Sequence, residues 1–273
     1  MFIETVQARC YRPVRTTLHK VVVVMPAYNA AATLEATYHA IDTEWVDEII
    51  LVDDGSEDET VAIAEKLALQ FIRHPRNVGY GGNQKTCYRE ALRRGADIVV
   101  MLHPDGQYDP ALLPQLIQPL AQDRADLVLG SRFMIPGSAR RGGMPLYRWL
   151  ANRFLTFWEN LVLRRQLAEY HTGYRAYSRA FLETIPFSRN SDGFCFDTEV
   201  LVQAVAFRQR IAEIPITTKY FPGASSASLW QCLIYGVMTL VTLVKFLLHR
   251  FRLWPSRLFI PLAKRESMKD ARR

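Results

Sequence analysis

The chain has 273 residues, 49% of them apolar and 22% charged, which is enough to build a sizeable core and excludes a disordered or fibrous protein. Its formal net charge is +7, yet residues 249–273 alone hold eight Lys or Arg against two acids, so the basic character belongs to a tail. No interleaving of aromatic and basic residues accompanies that charge, so nucleic acid is not expected as a partner.

The four cysteines (Cys10, Cys87, Cys195, Cys232) are scattered, with no metal-ligand spacing, and read as free thiols of a reducing compartment. The opening residues contain no apolar segment of the secretory type. In chain order, "KVVVVMP" (20–26) is an apolar run ending at proline, the pattern of a strand buried on both faces. A helix is expected over 29–41, with Asn29 or Thr33 as its cap, then a second buried strand over 47–54. Asp58 precedes a helix with an acidic first turn; a short strand follows at 71–75, and a helix over 83–95 is closed by Gly95. "DIVVMLH" (97–103) is a fourth strand, "PALLPQLIQPLAQ" a proline-interrupted helix with Asp109 as its N-cap, and "ADLVLGS" (125–131) a fifth strand. Strands alternating with helices of this length predict an α/β fold: a mostly parallel sheet with helices on both faces.

Such sheets bind ligands beyond the carboxyl ends of their strands. Here those ends read "PAYN" (26–29), "DDGS" (53–56), "HPRN" (74–77), "HPDGQYD" (103–109) and "GSR" (130–132). Each is polar, and five in register along one edge predict a cleft.

The ordered set "VVMPAYN", "LVDDGSEDET", "RNVGYGGN", "HPDGQYDP", "GSRF", "HTGYRAYSR" and "FDTEV" resembles the family-2 glycosyltransferases, with the GT-A nucleotide-diphospho-sugar transferase fold, over roughly residues 20–220. Within the family the polyprenyl-phosphate hexosyltransferases, the dolichyl-phosphate mannose synthase group, look nearest. The resemblance implies a catalytic domain over 20–225, after an extension at 1–19 and before a C-terminal segment at 226–273. It implies that Pro26, Ala27, Tyr28, Asn29, Asp53, Asp54, Ser56, Asn77 and Gly79 surround the nucleotide, with Asp54 on base or ribose. Arg76, Gly81 and Gly82 would share the flexible loop around Asn77 and Gly79.

A departing nucleotide diphosphate gathers negative charge, which a divalent cation (Mn²⁺ or Mg²⁺) held by oxygen ligands can neutralise. By resemblance that site is Asp-x-Asp followed by Gln; here it is His103, Asp105 and Gln107, with histidine in place of the first Asp. His103 can ligate the metal, hydrogen-bond a phosphate or shape the turn, and a neutral imidazole suits Mn²⁺ better than Mg²⁺. The glutamate often found after "PAYN" is Ala30, so one nucleotide contact is missing.

In the polyprenyl-phosphate group an Arg after "GS" and an Arg-x-x-x-Ser hold the lipid phosphate. The matching residues are Ser131 with Arg132, and Arg148 with Asn152, the last two sharing a helix face. A solvated basic face paired with Glu159 is the plainer alternative. Asp105, Arg175, Asp197 and Glu199 are the catalytic candidates. An alcohol acceptor would need Asp197 or Glu199 as general base, whereas a phosphate acceptor is already an anion.

Residues 229–248 form a twenty-residue apolar segment, long enough to span a bilayer. Its polar residues Gln231, Tyr235, Thr239, Thr242, Lys245 and His249 make one stripe, and crossing would carry the basic tail over the membrane. An amphipathic helix in the plane of an anionic cytoplasmic membrane surface is therefore expected, with Trp230, Tyr235, Phe251 and Trp254 as interface anchors. Together these features predict an inverting transfer of a hexose from a UDP- or GDP-linked donor to a polyprenyl phosphate. A hydroxyl acceptor, a non-catalytic nucleotide-sugar-binding protein and a homo-oligomer remain open.

Overall fold

A computed structural model describes residues 19–220 and 229–262; the N-terminal extension up to residue 18 and the basic tail beyond 262 lie outside the described residues. Seven strands form one sheet in the order β3-β2-β1-β4-β6-β5-β7. The five expected strands are β1 (Val21–Ala27), β2 (Glu48–Asp53), β3 (Gln70–Arg73), β4 (Ile98–Met101) and β5 (Leu127–Ser131). Sequence reading lacked β6 (Arg175–Ser178) and β7 (Ile211–Pro215). "RAYS" opens on a charge and "IAEIP" is broken by glutamate and proline, so neither shows an apolar run of strand length. Only β6 runs antiparallel, wedged between β4 and β5.

The helices are α1 (Leu34–His39), α2 (Thr60–Lys66), α3 (Tyr80–Arg93), α4 (Leu113–Ala121), α5 (Ser138–Arg141), α6 (Leu146–Leu163), α7 (Arg179–Thr184), α8 (Phe196–Ala206) and α9 (Leu229–Arg250). β1 sends alternate side chains into two cores. Val21, Val23 and Met25 pack with Leu34 of α1, Ala64 of α2 and Leu116 of α4. Val22 and Val24 pack with Cys87 of α3, Phe181 of α7 and Val200 of α8, and that core also takes in Leu163 of α6 and Leu243 and Phe246 of α9. Buried on both faces, β1 has no polar alternation to show.

Carboxylates order the strand entrances: Asp47 accepts from Val21 N (2.7 Å) and Asp97 from Lys20 N (2.8 Å). The exits at Ala27, Asp53, Met101 and Ser131, and the start of the reversed β6 at Arg175, meet on the opposite edge. β1 connects leftward to β2 and β3 while β4 lies on its other side, so the chain's switch point opens between β1 and β4 on that edge.

The helix expected over 29–41 begins only at Leu34. Asn29 takes a left-handed conformation (φ 51°), and Thr33 Oγ1 donates to Pro104 O (2.6 Å), joining the "PAYN" and "HPDGQYD" turns and capping nothing. Asp109 does cap its helical turn, accepting from Ala111 N (3.0 Å).

Candidate active site

The donor end lies where β2 and β3 stop. A cavity of about 630 Å³ is lined there by Tyr28, Gly55, Ser56, Arg73, His74 and Asn77, among others. Pro26 and Ala27 are buried inside β1, so of "PAYN" only Tyr28 and Asn29 reach the surface, a correction to the expected contacts. Asn29 ties the cavity wall together: its N–H donates to Ser56 Oγ (2.9 Å) and its Oδ1 accepts from Glu57 N (3.0 Å).

The two aspartates of "DDGS" exchange the expected roles. Asp54 is occupied by the protein itself: Oδ1 accepts from Val78 N (2.9 Å) and faces His74 Nδ1 (2.8 Å), and Oδ2 accepts from Gly79 N (3.1 Å). Asp53 Oδ2 accepts from Ser56 N (3.1 Å), but its buried Oδ1 has no partner. An orphaned buried carboxylate oxygen is costly, so Asp53 is the member of the pair with an oxygen left to offer a ligand hydroxyl or N–H.

The glycines of "RNVGYGG" do not form a flexible phosphate loop. Asn77 Oδ1 accepts from Gly79 N (2.9 Å), and Gly81 and Gly82 already belong to α3. A Cβ on Gly81 would lie 2.4 Å from Ser191 O, so that glycine permits the loop before α8 to pack on α3.

At the end of β4, Asp105 Oδ1 accepts from Gln107 N (3.0 Å). Burial pushes its carboxyl above the usual range, against the opposing influence of His103 and that N–H. Burial also lowers the His103 pKa, holding the imidazole neutral although Asp105 and Asp197 favour its charged form. The ring stacks on Tyr80 (centroids 5.6 Å, 9° between planes), and Nε2 lies 3.4 Å from Tyr80 Oη. A Cβ on Gly173 would come within 2.8 Å of the same Nε2.

Asp197 faces this cluster: Oδ2 accepts from Tyr80 Oη (2.7 Å) and Oδ1 from Gln84 Nε2 (3.2 Å). Glu199 does not. Two helix positions on, it points away and accepts from Ser191 N (2.6 Å), with burial raising its pKa. Arg175, fully buried, is a bolt and not a substrate contact. It donates to the carbonyls of Thr172 (2.6 Å), Asp197 (3.0 Å) and Tyr170 (3.0 Å) and lies 3.5 Å from Asp197 Oδ1.

On the acceptor side, Arg132 and Asn152 do converge, but on a carboxylate that sequence reading missed. Buried Glu169 accepts from Arg132 N (2.8 Å), Arg132 Nε (2.8 Å), Arg132 Nη2 and Asn152 Nδ2 (2.9 Å). Arg132 also donates to His171 O (2.6 Å) and Tyr220 Oη (2.6 Å). Ser131 is buried at the end of β5. Arg148, one turn before Asn152, packs on Tyr147, its guanidinium 5.8 Å from the ring centre. Glu169 neutralises Arg132. Glu159 is not the partner of Arg148: it is buried 3.0 Å from His171 Nε2, at ion-pair distance without hydrogen-bond alignment.

Residues 22–185 match the family described as glycosyl transferase family 2. The chain belongs to glycosyl transferase family 2. Among its family relatives, a Methanococcus voltae protein named UDP-N-acetylglucosamine–dolichyl-phosphate N-acetylglucosaminyltransferase is 29% identical over 72% of this chain and 84% of its own length. Polyprenol monophosphomannose synthase of Mycolicibacterium smegmatis is 30% identical over 76% of this chain and 78% of its own. The crystal structure of glucosyl-3-phosphoglycerate synthase from Mycobacterium tuberculosis, with Mn²⁺, UDP and phosphoglyceric acid, superposes with a TM-score of 0.66. It is 21% identical and covers 84% of this chain and 78% of that one, which establishes the shared GT-A fold.

The divalent cation expected at the "HPDGQ" turn can be tested against the donors present. Among the described residues no three His, Cys, Asp or Glu gather around one point. One carboxylate, one neutral imidazole and one amide fit a cation shared with a diphosphate, and not a cage closed by protein alone.

Two signals pointed to the missed residues. Glu169 is the acid nearest the "HTGYR" motif, and a buried Arg132 demands such a counter-charge. Tyr80 interrupts a run of glycines, where a large side chain has to be accommodated.

Proposed function

We propose that this glycosyltransferase moves a hexose from a UDP- or GDP-linked sugar to a polyprenyl phosphate, with inversion, as a peripheral enzyme at the cytoplasmic face of a membrane. The observation that carries the reading is the three-residue loop His171–Gly173. At one end His171 O holds Arg132 of the anion pocket, and at the other Gly173 abuts His103 at the diphosphate turn. Cα atoms two residues apart are at most about 7 Å apart, so the loop makes the two pockets neighbours, which supports transfer between a donor diphosphate and an acceptor phosphate. The relatives named above support the acceptor class, and they differ in the sugar.

Each side chain has a role in that reaction. Asp53 satisfies its open oxygen on the nucleoside, and Tyr28 covers the cavity. Asp105, Gln107 and His103 would hold a divalent cation, which when bound neutralises the charge gathered by the departing diphosphate. Arg148, with Asn152 and Arg132 behind it, orients the acceptor phosphate so that an anionic oxygen faces the sugar C1. No general base is needed, and Asp197, both oxygens engaged by Tyr80 and Gln84, orients the sugar.

The test is transfer of labelled sugar from a panel of UDP- and GDP-hexoses to short-chain polyprenyl phosphate, for wild type, Asp105→Ala and Arg148→Ala. Lipid-linked product lost in both variants supports the reading. A donor consumed onto a hydroxyl acceptor, with Arg148→Ala active, overturns it. Donor binding without transfer would mean a nucleotide-sugar-binding protein.

A further inference from the structure

The middle of the polar stripe of α9 faces inward, while Gln231 and Lys245 towards its ends are exposed. Tyr235 Oη lies 2.7 Å from His171 Nδ1 and 3.0 Å from Thr198 Oγ1, Thr239 Oγ1 lies 3.3 Å from Thr198 Oγ1, and Thr242 Oγ1 3.4 Å from Cys195 Sγ. Leu243 and Phe246 continue the same buried side into the core. The opposite side is apolar and bare, with Leu233, Val237 and Val244 all exposed and Trp230 at 68%.

α6 repeats the arrangement beside it. Its Asn152, Leu155, Thr156, Glu159 and Leu163 are buried, while Leu150, Phe154 and Phe157 (60%) are exposed on the far side. Leu155 of α6 meets Gly236 of α9, so the helices lie side by side in one layer, each turning an apolar arc away from the core. After α9 the chain adds exposed Phe251, Leu253 (70%) and Trp254 (72%). An apolar face of this extent marks an interaction surface.

Charge selects the occupant. Residues 146–165 hold four arginines and residues 229–262 four Lys or Arg; the one acid in either segment, Glu159, is buried. A cavity of about 480 Å³ lined by His249, Arg250, Arg252 and Pro255 adjoins Trp254. A second copy of the chain would press this basic rim against its equal, whereas anionic headgroups complement it.

We propose that α6 and α9 together form a seat on an anionic bilayer, both helices lying in its plane. This deepens the membrane placement above and rests on that reading only for the side of the membrane. α9 is long and apolar enough to cross a membrane. Its residues 235–246, however, are fastened to α8 and the core. That stretch spans about 16 Å, half of a hydrocarbon core of about 30 Å, so crossing would drag α8 into lipid or break every polar contact of the stripe. In the plane, both apolar arcs enter the lipid and Arg148 lies at headgroup level, where a polyprenyl phosphate presents its phosphate.

The test is co-sedimentation of the full chain with phosphatidylglycerol-containing and pure phosphatidylcholine vesicles, without donor or polyprenyl phosphate. Wild type should bind the anionic vesicles, less tightly in high salt. Phe157→Asp on α6 and Val237→Asp on α9 should each weaken binding by roughly tenfold or more while still binding UDP. In a Cys10→Ser/Cys232→Ser background, Gln231→Cys and Arg252→Cys, polar positions at the two ends of the helix, should both be labelled from the outer side of intact vesicles by an impermeant maleimide. Labelling of only one means a span and overturns the proposal. So does α9-dependent binding that ignores Phe157→Asp, or a dimer that Phe157→Asp dissociates without vesicle binding. Vesicle binding without sugar transfer would refute the proposed reaction and leave the seat; transfer to short-chain acceptor without vesicle binding would do the reverse.

Discussion

Glu169 is the residue on which the acceptor pocket's stability turns. Its carboxylate is fully buried and receives the Arg132 backbone N–H, two guanidinium nitrogens of Arg132 and the Asn152 amide. Replacing it with Ala leaves a buried guanidinium held only by His171 O and Tyr220 Oη. Breaking a buried ion pair from one side costs about 3–5 kcal/mol. In a chain of this size that lowers Tm by roughly 6–20 °C, at about 2–4 °C per kcal/mol. Arg132→Met should cost a similar amount, since it strands Glu169. The double variant Arg132→Met/Glu169→Ala should recover most of the loss, because removing both charges removes the desolvation cost with them. Thermal or urea unfolding of the four proteins gives the cycle. The same cycle separates stability from function: Glu169→Gln should bind short-chain polyprenyl phosphate more tightly than wild type, for it releases Arg132's charge. If Glu169→Ala unfolds within 0.5 kcal/mol of wild type, or if the double variant is as unstable as the sum of the singles, the pair does not hold the pocket and the reasoning fails.

The other predictions concern single contacts. Asp53→Asn should weaken UDP or GDP binding about tenfold with little change in Tm, whereas Asp54→Asn should destabilise the loop at 74–79 by about 1–3 kcal/mol; calorimetric titration and melting separate the two. His103→Asp should shift the cation preference from Mn²⁺ toward Mg²⁺, read as the ratio of rates in the two ions and as Mn²⁺ binding in the presence of UDP. Gly173→Ala should displace the imidazole, since its Cβ would sit 2.8 Å from Nε2, and should lower kcat more than it alters donor binding. Tyr235→Phe removes hydroxyl contacts to His171 and Thr198 and should cost about 1 kcal/mol of stability, with a several-fold rise in acceptor KM because the His171 loop carries Arg132.

The strands most legible in sequence were those whose burial leaves no polar alternation to misread, and they carry the cleft at their ends. β6 was not legible: its four residues begin with Arg175, and only the backbone shows that this arginine enters the sheet reversed beside Met101. The site residues divide along the same line. Arg132 and Asn152 meet on Glu169, and Asp105 and Asp197 both flank His103, since a motif fixes which loop a residue sits on. What a motif does not carry is which way a side chain turns once its neighbours have been satisfied. Asp54 and Asp53 stand side by side at one strand end, yet the Val78 and Gly79 amides take one and leave an oxygen of the other open. Arg175 reads as a substrate contact until three carbonyls claim its donors.

The stripe of α9 is the clearest case. Spacing alone identifies one polar and one apolar side, and a helix at a membrane and a helix on a domain share that spacing. The side chains decide. Tyr235, Thr239 and Thr242 find partners in His171, Thr198 and Cys195, so the middle of the polar side belongs to the protein and the apolar side is left to its surroundings. Because those same partners flank Asp197 and carry Arg132, the segment that seats the enzyme is also the one that braces the acceptor pocket. An activity lost on cutting away α9 would therefore be expected even with a water-soluble acceptor, and an activity retained there would show that the bracing is dispensable.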